Sequence, residues 1–199
     1  MKTLVIIAFL VSLALGTPSF GLDQTATYGK CSIDLGAPVL PKCALEMRNG
    51  QLFVLRKFAE DVFAGRVHGL AANSVKVGRD RLASIYLDEG KWSYYDQTGR
   101  VVIQNVAPAD NAPSEFRDGL VPVTRDGKWG LADAKGKFVV PLQYDGMAGS
   151  EGPGWLVCSG CRVVQKGEHS WFSGGQWFRL DAKGRVAGEA KDPTSANSQ

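Results

Sequence analysis

Residues Gly127–Pro141 read GKWGLADAKGKFVVP, and they decide the fold. One tryptophan, one aspartate, three glycines and three lysines sit among apolar residues, which invites reading the stretch as a binding site. The spacing argues for a turn instead. Asp133 and Gly136 stand three apart. In a type I turn the first-position carboxylate accepts a backbone N–H, and a fourth-position glycine takes positive φ and restarts a strand through a bulge. KWGLAD before the turn is then a strand with Trp129 and Leu131 on one face and Gly130 and Ala132 on the other. KFVV after it is rich in strand formers and ends at Pro141, which cannot donate to a ladder. Upstream, GLVPVTRDGK reads as another strand closed by a tight Asp126–Gly127 turn.

The unit recurs. GKWSYYDQTGRVV lies at Gly90–Val102 and GQWFRLDAKGRVA at Gly175–Ala187. In all three copies an aspartate follows the tryptophan by four (Trp92/Asp96, Trp129/Asp133, Trp177/Asp181). A glycine follows the aspartate by three (Gly99, Gly136, Gly184). Such a constellation is an internal repeat, here of unequal period. RLASIYLDEGK at Arg81–Lys91 and GWLVCSG at Gly154–Gly160 supply the upstream strand of the first and third copies. The third copy departs from the others. Phe178 replaces the small residue after tryptophan, Arg179 falls where Tyr94 and Leu131 point, and RVAGEA is a weak strand. It reads as a cap, and its extra residues, Cys158–Gly175, read as a long hairpin or loop turning at Lys166–Gly167–Glu168.

The expected architecture is all-β, built of tandem antiparallel hairpins or three-stranded units over residues 81–190, with little helix after the leader. Residues 22–80 form a mixed segment that fits the repeat poorly or degenerately. Within it QLFVLRKF follows an Asn49–Gly50 turn as a strand, and FAEDVFAG reads as a short helix or a continued strand. Residues 191–199, KDPTSANSQ, read as a disordered tail.

The middle copy, DGLVPVTRDGKWGLADAKGKFVVPLQYD at Asp118–Asp145, resembles the WG (KWG) repeat of bacterial proteins. The likeness rests on Gly-Leu-Val-Pro-Val, Gly-Lys-Trp-Gly, Asp-x-x-Gly-Lys, and Val139, Val140, Pro141, Tyr144 and Asp145. The first copy keeps Trp92, Asp96 and Gly99 but has Ser93 for glycine and lacks the proline. The resemblance implies tandem β-hairpins in proteins of exported or interaction type, and it carries no shared catalytic residues. A repeated scaffold does not by itself assign an activity.

Composition sets the class and the compartment. The chain has 199 residues, 44% hydrophobic and 22% charged, enough for one domain with a real core. Its 24 glycines fit many tight turns, and its formal charge of +3 is too small for a nucleic-acid face. MKTLVIIAFLVSLALG has Lys2, an apolar run from Leu4 to Leu15, and small residues for cleavage after Gly16 or Gly21. That is a secretory leader over residues 1–21. The run is shorter than the roughly 20 residues a membrane-spanning helix needs. The expected compartment is extracellular or periplasmic, and no spanning segment is expected in the mature chain. Cys31, Cys43, Cys158 and Cys161 then read as two disulfides. The local pairing, Cys31–Cys43 and Cys158–Cys161, is favoured over one that joins the two ends of the chain.

Candidate chemistry is sparse. Cys158-Ser-Gly-Cys161 lacks the βαβ context of redox folds and reads as a disulfide closing a tight hairpin. A metal site would need His68 and His169 beside the cysteines at no standard spacing. His169 has no accompanying nucleophile pattern. Glu60–Asp61 and Asp88–Glu89 read as solvated charge, and no pattern asks for a cofactor. Outside the repeat, Trp155, His169, Trp171 and Phe172 are the candidate partner contacts, because tryptophan on a glycine-rich loop suits a binding hot spot. The expectation is an exported, monomeric, non-catalytic protein that binds a protein or envelope component through the 158–175 insertion. Two other readings stand beside it: a periplasmic thiol-disulfide or redox-sensing protein using Cys158 and Cys161, and a structural domain without a specific ligand.

Overall fold

The computed structural model describes residues 25–35, 37, 39–67, 77–88, 91–110, 112–149 and 152–194. The expected leader, His68, Glu89 and residues 195–199 lie outside them.

Strands β1 (Thr25–Tyr28) and β2 (Cys31–Asp34) form a hairpin, followed by a 3-10 turn at Lys42–Ala44. A second hairpin, β3 (Leu45–Arg48) and β4 (Gln51–Val54), leads into helix α1 (Arg56–Phe63). The repeat begins with β5 (Ala83–Asp88), β6 (Lys91–Tyr95) and β7 (Val101–Val106). A small ribbon, β8 (Pro108–Ala109) and β9 (Ala112–Pro113), connects to β10 (Leu120–Arg125), β11 (Lys128–Asp133) and β12 (Phe138–Tyr144). Next come β13 (Gly146–Gly149), β14 (Trp155–Ser159), β15 (Arg162–Lys166), β16 (His169–Ser173), β17 (Gln176–Leu180) and β18 (Val186–Ala190). The chain is all-β with one short helix among the described residues.

The first two repeat units join edge to edge in a six-stranded antiparallel sheet of order β12-β11-β10-β7-β6-β5. The third unit forms β13-β14-β17-β18. In each unit the aspartate and glycine turn the chain alike. The N–H of Gly99, Gly136 and Gly184 donates to the carbonyl of Asp96, Asp133 and Asp181, each at 2.9 Å. One carboxylate oxygen of Asp133 accepts the N–H groups of Lys135 and Lys137. Asp181 does the same with Lys183 and Arg185. Asp126 and Gly127 both have positive φ (52° and 73°) between the paired residues Arg125 and Lys128, a type I′ hairpin. Asn49 and Gly50 repeat that geometry between Arg48 and Gln51.

The two faces of each repeat sheet belong to different cores, and the cores follow one another along the chain. Ile33, Phe58, Ile85 and Tyr95 pack in the first. Trp92, Tyr94, Val121 and Ala132 share the second, so the first and second units meet there. Leu131, Tyr144, Trp155 and Leu180 share the third, with Trp129 partly buried against it. Leu156, Cys158 and Trp177 make the last and smallest. Each repeat tryptophan thus enters the core one step further along, which gives a short stack in which a unit contacts its neighbours. The alternation read from sequence, Trp129 and Leu131 against Ala132, is this division between third and second cores.

Residues Gln51–Val54 form the strand expected after Asn49–Gly50, and α1 takes the helical alternative for the following segment. On that helix Glu60 pairs with Arg56, and Asp61 with Lys57 and Arg66. The Lys57 and Arg66 contacts hold the Asp61 carboxyl below its usual range. Residues 191–194, read as part of a disordered tail, are tied down instead. Asp192 accepts the N–H of Gly174 at 2.7 Å and caps Thr194.

Candidate functional site

The site is built where the repeat is interrupted. In the middle unit β10 passes to β11 through Asp126–Gly127. In the third unit β14 pairs with β17, and residues 160–175 stand where that two-residue turn would be. Two disulfides are present, Cys31–Cys43 and Cys158–Cys161. The second does not close a hairpin, contrary to the sequence expectation. β14 lies between β13 and β17, whereas β15 pairs with β16 in a separate two-stranded sheet. The disulfide spans the bend at which the chain leaves one sheet for the other. A local Cys-x-x-Cys spacing fits either geometry, and the choice is made by β17, a partner distant in sequence.

The β15–β16 hairpin turns at Gly167–Glu168 between the paired residues Lys166 and His169. The register places Arg162, Val164, Lys166, His169, Trp171 and Ser173 on one face, and Val163, Gln165, Ser170 and Phe172 on the other. Phe172 anchors the hairpin to the stack. Its ring meets that of Trp129 edge-on, 5.3 Å between centroids. A β-carbon on Gly146 would lie 2.5 Å from the Phe172 ring and 2.8 Å from the Cys158 sulfur. With Cys161, Phe172 packs against the last core.

Hydrogen bonds fix the two ends of the insertion. The Asp145 carboxylate accepts the Gly160 N–H at 2.7 Å and the Lys128 ammonium at 2.5 Å. The lysine contact first, then the backbone one, holds that carboxyl below its usual range. At the return, the Trp177 indole donates to the Gly174 carbonyl at 2.9 Å. Gly175 sits so close to the exit bend that a β-carbon there would be 2.4 Å from the Ser159 carbonyl oxygen.

The four expected contact residues therefore separate. Trp155 is buried, 6% exposed, and is no surface contact. It pairs with Leu180, as Val121 pairs with Ala132 in the middle unit, so it occupies a core position of the repeat. The Arg117 guanidinium lies 5.8 Å from its ring centre. Phe172 is a packing residue. His169 is exposed and Trp171 half-buried, both on the face that turns away from Phe172. Val163, absent from the sequence expectation, is 62% exposed on the hairpin. It shares the face of Phe172 but stands clear of the last core, which the local sequence did not reveal.

The repeat fold agrees with what comparison with known proteins shows. Residues 129–151 match the family model of the WG containing repeat. That match starts at Trp129 and takes in β11, β12 and β13, the clearest copy of the unit. No curated protein matches the chain. No helix among the described residues is long and apolar enough to cross a membrane.

The WG repeat residues themselves are committed to structure. Gly130, after the tryptophan, is approached by the carbonyls of Val140 and Pro141, at 2.5 and 2.9 Å from where a β-carbon would lie. The register slips there between Trp129 and Leu131, so the repeat's glycine makes room for a bulge. Asp96, Asp133 and Asp181 are held by their own turns.

Proposed function

We propose that this is an exported, non-catalytic WG-repeat protein that binds a protein or cell-envelope component through the β15–β16 hairpin. One observation carries the reading. The insertion replaces a two-residue turn with a hairpin that is anchored on one face by Phe172 and the Cys158–Cys161 disulfide and presents Trp171 and His169 on the other. A rigidly mounted aromatic presented on an otherwise regular scaffold loses little conformational freedom on binding. Two disulfides fit the oxidising compartment that the leader sequence implies. The protein acts as a monomer in this reading.

A thiol-disulfide role has one observation in its favour, the partial exposure of Cys161. Attack on the Cys161 sulfur would expel the Cys158 thiolate, and that sulfur is fully buried beside Leu156 and Trp177. Leaving as an anion into apolar surroundings slows exchange. The binding role is therefore preferred.

The test is affinity capture from envelope and extracellular extracts with the wild-type chain and with Trp171→Ala. Loss of specific partners in the variant, at unchanged unfolding midpoint, is expected. Identical partner sets remove the proposal.

A further inference from the structure

The hairpin has an open edge as well as an outward face. Lys166 and His169 close its two-residue turn, so they exchange backbone hydrogen bonds, and this alternates along the ladder. Lys166, Val164 and Arg162 therefore direct their N–H and C=O groups toward β16. Val163 and Gln165 direct theirs outward. Among the described residues β15 pairs with no strand but β16. An unpaired edge of this kind is a template for another strand.

The side chains along that edge select the strand. Arg162 and Lys166 share the outward face four residues apart, about 13 Å along a strand. Both are exposed, and neither forms an ion pair among the described residues. His169 and Trp171 lie beside them on β16, and the opposing charges are Glu168 at the tip of the turn and Asp192, whose carboxylate is held by the Gly174 N–H and the Ser173 hydroxyl at the far end. A second copy of this chain would set like charges against one another, which is how edges are kept from self-pairing. A strand with alternating carboxylates puts them all on one face, every second one at the same four-residue spacing, with the opposite charge.

Resting on the proposal that this hairpin is the contact element, we infer that β15 accepts an extended acidic peptide segment of a partner protein as a third strand. Val163 and Gln165 supply the backbone hydrogen bonds, and Arg162 and Lys166 pair with carboxylates at alternate positions on the face they share with Trp171. This is strand addition, in which the main chain gives affinity and the side chains specificity.

The experiment uses the purified full chain and two fluorescein-labelled peptides of about ten residues, one alternating Glu and Val, the other Lys and Val. Anisotropy is read at low and moderate salt. The Glu-Val peptide binds, more weakly as salt rises, and the Lys-Val peptide does not. Val163→Pro removes an outward N–H that the hairpin does not use, so the fold stays and peptide binding is lost. Gln165→Pro is the second test of the same kind, should the first variant fold poorly. Arg162→Glu with Lys166→Glu weakens the Glu-Val peptide about tenfold or more and transfers preference to the Lys-Val peptide.

Equal binding of both peptides, or full binding by a folded Val163→Pro chain, overturns the inference. So does retention on phosphatidylglycerol vesicles, sensitive to the charge reversal, without peptide binding. So does self-association in sedimentation that Val163→Pro abolishes. If Trp171→Ala removes captured partners while Val163→Pro and the peptides have no effect, the contact hairpin stands and strand addition falls. If no hairpin variant changes capture, both fall.

Discussion

Gly136 lies against Val102 so closely that a β-carbon on the glycine would sit 2.3 Å from the Val102 carbonyl oxygen. The same relation recurs at Gly99, 2.3 Å from the Val54 carbonyl oxygen, and Gly184 approaches Val140 and Val139 at 2.7 and 3.2 Å. Each Asp-x-x-Gly turn thus seats on the preceding element of the stack. The Val54 N–H donates to the Gly99 carbonyl at 2.7 Å and completes the first of these joints. The repeat glycine is therefore needed twice, for its φ of 81° at Gly136 and for the neighbour's backbone.

Gly136→Ala should consequently cost more than a turn glycine normally does. Left-handed backbone costs about 1–2 kcal/mol in a residue with a β-carbon, and overpacking against backbone about 1–3 more. The expected loss is about 2–5 kcal/mol in chemical denaturation. Gly127→Ala is the control, since its φ is also positive but no atom lies within 4 Å of the added carbon. It should lose only the first part. Equal losses at the two positions would show that the stacking contact contributes nothing.

The Asp133 carboxylate holds two backbone N–H groups of its turn at 2.9 Å. Asp133→Ala leaves both without this acceptor, and hydrogen bonds to charged groups contribute about 1.5–3 kcal/mol. Asp133→Asn keeps an acceptor oxygen in the same place. Urea midpoints should fall clearly for alanine and slightly for asparagine. If the two variants lose the same amount, the turn depends on charge rather than on the accepted hydrogen bonds.

These turns were legible in sequence because a four-residue turn depends on its own residues, and Asp133 and Gly136 declare it locally. The sorting of Trp129 and Ala132 to different cores was legible for a similar reason, strand alternation. The mounting of the insertion was not. Cys158 and Cys161 look the same in a hairpin as in a bend between sheets, and only the pairing of Cys158 with Trp177 distinguishes them. One signal was present: if Trp155–Ser159 is the first strand of the third unit and Gln176–Leu180 the second, everything between replaces a turn. That alignment also makes Trp155 the counterpart of Val121, a core position, and removes it from the contact residues.

The two disulfides should differ in what they contribute. Cys31–Cys43 joins residues 12 apart in sequence and Cys158–Cys161 residues 3 apart. Loop-closure entropy makes the longer link worth about 2–3 kcal/mol and the shorter one less. Cys31→Ala with Cys43→Ala should therefore lower the unfolding midpoint more than Cys158→Ala with Cys161→Ala. The reverse order would mean that packing around the Cys158 sulfur outweighs chain entropy.

Acid should loosen the third unit through identifiable groups. The Arg185 backbone N–H, then its guanidinium, holds the Asp181 carboxyl below the usual carboxylate range, and Lys128 with Gly160 does so for Asp145. A carboxyl whose pKa is lower folded than unfolded stabilises the fold above its unfolded value, near 4. That contribution is lost as pH falls through the lower folded value. Stability should decline below about pH 4, and Asp145→Asn with Asp181→Asn should flatten the decline. An unchanged acid limb in the double variant would assign the loss to other carboxyls.

Gly146 is the point at which the insertion is fastened. Its φ is not in the left-handed region, so alanine there meets no backbone penalty and tests contact alone. The added carbon would meet the Phe172 ring at 2.5 Å and the Cys158 sulfur at 2.8 Å. The sulfur is held by its disulfide, so the ring must yield and lose its edge-on contact with Trp129. Overpacking of this kind costs about 1–3 kcal/mol. The effect should be local: amide exchange should quicken in β15 and β16 and stay unchanged in β10 and β11, whose hydrogen bonds do not involve Phe172. Proteolytic cleavage near Gly167–Glu168 should rise with it, since cleavage follows the population of the opened hairpin. If exchange quickens throughout the stack instead, Phe172 is part of the common core and the hairpin is not an independently mounted element.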